Sequence, residues 1–382
     1  MILWLMLLLQ EETKTPHYDL RVEKIDAADA GRMLEELHAQ LTKHFGSAPA
    51  ERLKVEVYGT RDGWSAALRR DKQPIPEGAG GYYSPGTKKA YLYVQPTEYF
   101  TRQLLLHEAT HQFHYLAATG NRDPAAPWYT EGLAEYFGMH NWDGRTLRTG
   151  VVPAVTLEDY PEKAAQNLGR IGWNLGGMIE GKLPADRPEA WALIHYLIHN
   201  HPKPFAALSK SLDCGAKGRD AWKSVFGNAD VAEPLRAWLE KNAQPWRIVW
   251  IGWQERGDVI EGAAGTNGAA VLKRSGPSLK AELELRSGEL KAGLIFGYRS
   301  PDDFAIAQFV GSARVRIVRR SGGGWRILAE KEVPPRERPE LHLAHADGRV
   351  RVTANGEEIG EFEATGDFGL NVDACRVAFR IR

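Results

Sequence analysis

Near Gln244-Pro245 the hydrophobic pattern of this 382-residue chain passes into a sustained period of two. Before that point apolar residues recur at helical spacing, as Ala27, Ala30, Leu34, Leu37 and Leu41 do within Asp26–Phe45. After it they alternate with polar residues in 281–286, 294–298, 304–309, 313–318, 325–328, 341–344 and 350–353. A helix repeats every 3.6 residues and a strand every two, so one segment cannot serve both. The chain is therefore expected to divide into an α+β domain over residues 16–245 and an all-β sandwich or barrel over 246–382. Gly-rich turns separate the later strands, and Asn355-Gly356 is a hairpin signal. Many short antiparallel strands of this kind close a core by stacking two sheets.

Within the first part, Leu53–Tyr58, Gly80–Ser84 and Lys89–Val94 read as strands, the last two joined through Pro85-Gly86-Thr87. A short helix is expected at Trp64–Arg70 and a longer one across Leu104–Leu116. Residues 141–181 read as irregular. Helices are expected again at Glu189–Asn200, Phe205–Leu212, Arg219–Phe226 and Val231–Asn242. At the start, Met1–Leu9 is an unbroken apolar run, too short to span a bilayer at ~20 residues. Residues 1–15 are expected to act as a signal or targeting segment, which places the protein outside the cell or in its envelope; a basic leader and a small-residue cleavage site are missing, and a buried N-terminal strand or helix is the other reading.

The chemistry concentrates in His107-Glu108-Ala109-Thr110-His111, an H-E-x-x-H motif. On a helix, residues four apart stand one turn apart on one face, so both imidazoles can reach one metal ion. Zinc suits neutral histidine nitrogen and tolerates an open position. Glu108 can reach a water beside the metal without ligating it, where a general base is needed. Leu104, Leu105, Leu106, Phe113 and Leu116 mark the helix as mostly buried, and buried polar groups need partners. His114 lies near the same face. It is about 10 Å along the axis from His107, too far to share one ion on a straight helix, so a place in the cleft wall or beside a ligand is expected for it.

Downstream stands Trp128-Tyr-Thr-Glu131-Gly132-Leu-Ala134-Glu135-Tyr136, with Thr130 a candidate cap for a helix starting near Glu131. H-E-x-x-H followed at this distance by Trp-x-x-Glu-Gly-x-Ala-x-Tyr resembles the gluzincin zinc metallopeptidases. The resemblance covers roughly residues 50–242, and only its two motifs are specific. It implies Glu131 as third zinc ligand. For Glu135 it implies a hydrogen bond to a ligand histidine; an exposed helix glutamate is the other reading. It also implies that an edge strand, Ala90–Val94 or Gly81–Tyr83, takes up extended peptide by strand addition. Gluzincins stabilise the oxyanion with a tyrosine or histidine, for which Tyr196, His195 and Tyr83 are candidates. The metzincin pattern does not fit, because it needs Gly at 114 and His at 117, where this chain has His114 and Ala117. The order of the C-terminal strands resembles concanavalin-like jelly rolls, which implies a sandwich that holds a glycan or surface ligand.

Net charge is +0, with 49 basic and 49 acidic residues, which gives no electrostatic reason to expect nucleic acid. Two cysteines, Cys214 and Cys375, make neither a disulfide framework nor a cysteine zinc site. The sequence thus points to a zinc metallopeptidase, a hydrolase acting on peptide or protein with Zn2+ and an accessory sandwich. Two rivals stand beside it: a cell-envelope binding protein with an inactive peptidase-like domain, and an amidase acting on cell-wall peptide.

Overall fold

The computed structural model describes residues 11–172, 174–250 and 252–382. Met1–Leu9 lies outside them, as does Trp173. The chain forms two compact units. One holds the described residues up to Val152 with Tyr160–Ala243; the other holds Pro153–Asp159 with Gln244–Arg382.

The first unit opens with β1 (Glu11–Lys14) and β2 (Tyr18–Val22); β1 lies within the segment 1–15 expected to be a targeting sequence, and it pairs antiparallel with β2 as part of the sheet. Helix α1 (Ala27–Phe45) follows, capped by the Asp26 carboxylate on the Asp29 amide and closed by Gly46 in the left-handed region. Next come β3 (Leu53–Tyr58), α2 (Arg61–Arg70), β4 (Gly81–Ser84) and β5 (Lys89–Tyr93). The sheet order is β1-β2-β3-β5-β4, with β2, β3 and β5 parallel and β4 antiparallel at the edge. Of the two strands expected to offer a free edge, β5 is internal and only β4 is open. A parallel neighbour on one side and the Pro85-Gly86-Thr87 turn to β4 on the other occupy both edges of β5.

Two helices then carry the motifs, α3 (Glu98–Ala117) and α4 (Pro127–Gly138). Thr97 caps α3 on the Phe100 amide. Helix α4 starts four residues earlier than expected. Pro127 takes its first position, where a missing N–H costs nothing, and Thr130 lies inside the first turn with its hydroxyl on the Pro127 carbonyl. The stretch read as irregular holds a small antiparallel pair, β6 (His140–Trp142) and β7 (Leu147–Thr149), then α5 (Tyr160–Leu168) and α6 (Leu175–Ile179). The unit ends with α7 (Arg187–Asn200), α8 (Pro202–Asp213), α9 (Gly218–Phe226) and α10 (Ala232–Lys241). One apolar core runs from Leu34 and Leu37 of α1 through Leu105, Leu106 and Phe113 of α3 to Leu133 of α4 and Leu193 of α7. Among the described residues no helix is long and apolar enough to cross a membrane.

The second unit is an all-β sandwich of two seven-stranded antiparallel sheets. Alternation sends Leu283, Leu343, Val352 and Phe379 from one sheet and Leu294, Ala307, Ile317 and Leu370 from the other into one shared core. The Asn355-Gly356 turn is present between Arg349–Ala354 and Glu357–Glu363, with φ of 52° and 91°, the left-handed pair that such a two-residue hairpin requires. Pro153–Asp159 belongs to this unit, although the sequence reading assigned it to the first. Val155 is buried in the sandwich core, the Ala154 amide donates to Glu255 at 2.6 Å, and Asp159 pairs with Lys273.

Candidate metal centre

Helices α3 and α4 bring three donor atoms together. His107 Nε2 and His111 Nε2 are 3.1 Å apart. The Glu131 carboxylate spans the pair, with Oε2 3.5 Å from His107 Nε2 and Oε1 3.5 Å from His111 Nε2. Zinc bonds of about 2.0–2.2 Å in a tetrahedron put ligand atoms roughly 3.3–3.6 Å from one another, and one ligand atom from each of these three side chains lies within 4.8 Å of the others, close enough to share one ion after a small adjustment. Among the described residues this is the one group of three metal-ligating side chains that converge so closely. The residue types fit as well, since two imidazole nitrogens and a carboxylate oxygen are lone-pair donors turned toward one another.

Glu135, one turn after Glu131, is 1% exposed rather than solvated. Its Oε1 lies 3.1 Å from His107 Nδ1, a close contact that is not an aligned hydrogen bond. Gln103 Nε2 donates to its Oε2 at 3.0 Å. A carboxylate there favours a proton on Nδ1 and leaves the His107 Nε2 lone pair facing His111 and Glu131. Burial and Arg187 lower the basicity of His107, but Glu135 and Glu131 outweigh them and raise its pKa to about 9. Burial works against the Glu131 charge, yet the two histidines hold its carboxyl well below the usual range.

Glu108 lies beside the triad and lines the same cleft. It is 3% exposed, and burial raises its pKa against the opposing pull of His107, His111 and Arg187. A carboxylate made more basic in this way suits a general base. Its close neighbour is the backbone of β4. A Cβ added at Gly81 would sit 2.6 Å from Glu108 Oε1 and 2.8 Å from its Cγ.

Arg187 was not singled out from the sequence. It is the first residue of α7, and its Nη1 lies 3.2 Å from Glu135 Oε1. Gly132 explains its arrival there. A Cβ at Gly132 would stand 2.5 Å from the Ala190 carbonyl oxygen, so the bare α-carbon lets α7 close onto α4 and sets Arg187, one turn earlier, over the carboxylates. The Gly after Glu131 was legible as part of a motif, but not as the contact that delivers an arginine.

The other expected residues stand as follows. His114 is not part of the triangle. Its Nε2 is 2.7 Å from Asp213 Oδ1, its ring stacks on Phe45, and it contributes to the cleft wall. His195 and Tyr196 do not line the cleft, which corrects their placement as oxyanion donors. They lie more than two turns beyond Arg187 on α7, about 12 Å along its axis. His195 instead meets the Gly150 carbonyl at 2.9 Å, packs on Trp191 and Trp238, and is pushed down to about 3 by burial. Tyr196 faces His201 and Trp238. Tyr83 does line the cleft, which encloses about 520 Å³.

A family model described as "Protein of unknown function (DUF1570)" matches residues 103–213. That span runs from Gln103, which holds Glu135, to Asp213, which holds His114. No curated protein matches the chain. Among solved structures, the chain resembles the carbohydrate-binding module CBM66 from Bacillus subtilis, with 16% identity over 36% of this chain and 92% of that one, at a TM-score of 0.33. It also resembles the GH43 protein BlXynB from Bacillus licheniformis, with 14% identity over 36% of each chain and a TM-score of 0.29. A third likeness is to the galectin LEC-6 of Caenorhabditis elegans, with 18% identity over 33% of this chain and 91% of that one, at 0.23. At these scores none of them says what this chain binds or does.

Proposed function

We propose that the first unit is a zinc-dependent peptide hydrolase of gluzincin type. The observation that carries this is the convergence of His107, His111 and Glu131, whose ligand atoms lie within 4.8 Å of one another, beside a buried carboxylate in an open cleft. Zinc held there would polarise the scissile carbonyl and lower the pKa of its water. Glu108 would accept the proton of the attacking water and hand it to the leaving amine. Glu135, close to His107 Nδ1, would favour the ligating tautomer of His107, and Arg187 lies against Glu135. The open edge of β4 beside Glu108 offers backbone groups to an extended peptide. Chelator-treated protein is expected to lose hydrolysis of a short unstructured peptide and to regain it with zinc. Full activity in the chelated state would remove the metal from the account.

For the sandwich we propose an accessory role in binding a glycan or a surface. Trp325 is 44% exposed, and the Arg320 guanidinium lies over both Trp250 and Trp325, at 5.9 and 5.4 Å from their rings. Flat aromatic area rimmed by donors is what a sugar ring can stack on. Trp325→Ala should weaken retention on immobilised polysaccharide, and equal retention of both proteins would leave this role without support.

A further inference from the structure

The wall of the cleft carries a charge that no side chain among the described residues matches. Asp123 is exposed, lines the cleft, and has no hydrogen-bond or ion-pair partner among the described residues. It stands in the loop between α3 and α4, directly before Pro124, which restricts the backbone there. The charge pattern of the cleft makes it stand out. Arg187 is matched by the buried Glu135. Glu108 and Glu131 together would match the charge of one divalent ion held at the site. Asp123 is the carboxylate left over.

Its surroundings are aromatic. Tyr82, Tyr83 and Tyr115 line the same cleft, with the rings of Tyr83 and Tyr115 5.7 Å apart. Burial, and after it the Asp123 charge, raises the Tyr82 hydroxyl, and the Asp123 charge also contributes at Tyr83. The Tyr83 hydroxyl is itself buried without a partner. A carboxylate beside aromatic rings suits one chemical class. A cation gains from the opposite charge and from the negative ring faces together. An aliphatic stem such as that of lysine or arginine can lie along the same rings while its head stays at the wet lip.

We propose that Asp123, with Tyr82 and Tyr115, forms a cation-recognition subsite that selects peptides bearing a positive charge near the bond to be cut. The proposal rests on the peptide-hydrolase reading for what the cleft does, and it names the substrate class. Two sources of the cation share this chemistry, a basic side chain and a free peptide N-terminus.

The test uses the full-length protein and matched peptides that carry lysine or uncharged norleucine at one position, each with a free or an acetylated N-terminus. Dissociation constants are measured with chelator present, so no turnover is needed, and kcat/KM is measured after zinc loading. The lysine peptide is expected to bind about tenfold more tightly than the norleucine peptide. Asp123→Asn should bring that ratio to near one, and Asp123→Lys should turn the preference toward a glutamate peptide. A lysine preference kept on acetylated peptides assigns the subsite to side chains; a preference that follows the free N-terminus, whichever residue is present, assigns it to the terminal ammonium. A ratio near one in the unaltered protein, or the same ratio in Asp123→Asn, overturns the proposal. An Asp123-dependent binding ratio without any zinc-dependent hydrolysis would sink the hydrolase reading and leave the subsite standing.

Discussion

Glu108→Gln is expected to lower kcat for peptide hydrolysis by about 10³-fold while the protein keeps its metal. Glutamine matches glutamate in size, so the buried slot beside β4 is filled as before. Its amide cannot accept the proton of the attacking water, and a positioned proton acceptor contributes roughly 10²–10⁴-fold. None of the three donor atoms is touched, so metal content should equal that of the unaltered protein. The check is kcat and metal content on the same preparation. Hydrolysis that persists at the original rate with metal unchanged would take Glu108 out of the chemistry.

Gly81→Ala should cost about 10²-fold in kcat without changing metal content. The new methyl group would meet Glu108 at both Oε1 and Cγ, closer than such atoms approach. Glu108 is 3% exposed and cannot swing into water to make room. Its carboxylate must then shift by about 1 Å, and misplacement on that scale can cost about 10²-fold. Gly81 has no positive φ, so backbone strain does not confuse the result. The measurement is kcat against metal content for Gly81→Ala, with circular dichroism to confirm the fold. Undiminished kcat would mean that Glu108 does not act from the position it holds here.

Much of this arrangement was legible in the sequence because it is local. His107 and His111 are set by one helical turn, and Glu131 and Glu135 by another, so spacing alone puts each pair on a face. The sandwich strands announce themselves by alternation, and Asn355-Gly356 by the φ values it allows. The parts that were not legible depend on which element meets which. Arg187 reaches Glu135 only because Gly132 lets α7 close on Ala190, a contact between residues far apart in sequence. His195 and Tyr196 were placed near the chemistry by residue type, and the axial length of α7 carries them away from it. Pro153–Asp159 looked like part of a loop, and only the burial of Val155 among sandwich strands shows where it belongs. The early start of α4 is a smaller case, in which Pro127 at the first helical position took precedence over Thr130 as a cap.

The central claim is that His107, His111 and Glu131 hold one metal ion. The most direct measurement is elemental analysis of purified full-length protein alongside His111→Ala, both equilibrated with zinc and then freed of loosely bound ions. The account predicts about one zinc per chain in the unaltered protein and a small fraction of that in the variant, because two remaining donors do not complete a closed site. No bound zinc in the unaltered protein, or the same zinc content in both, would contradict it.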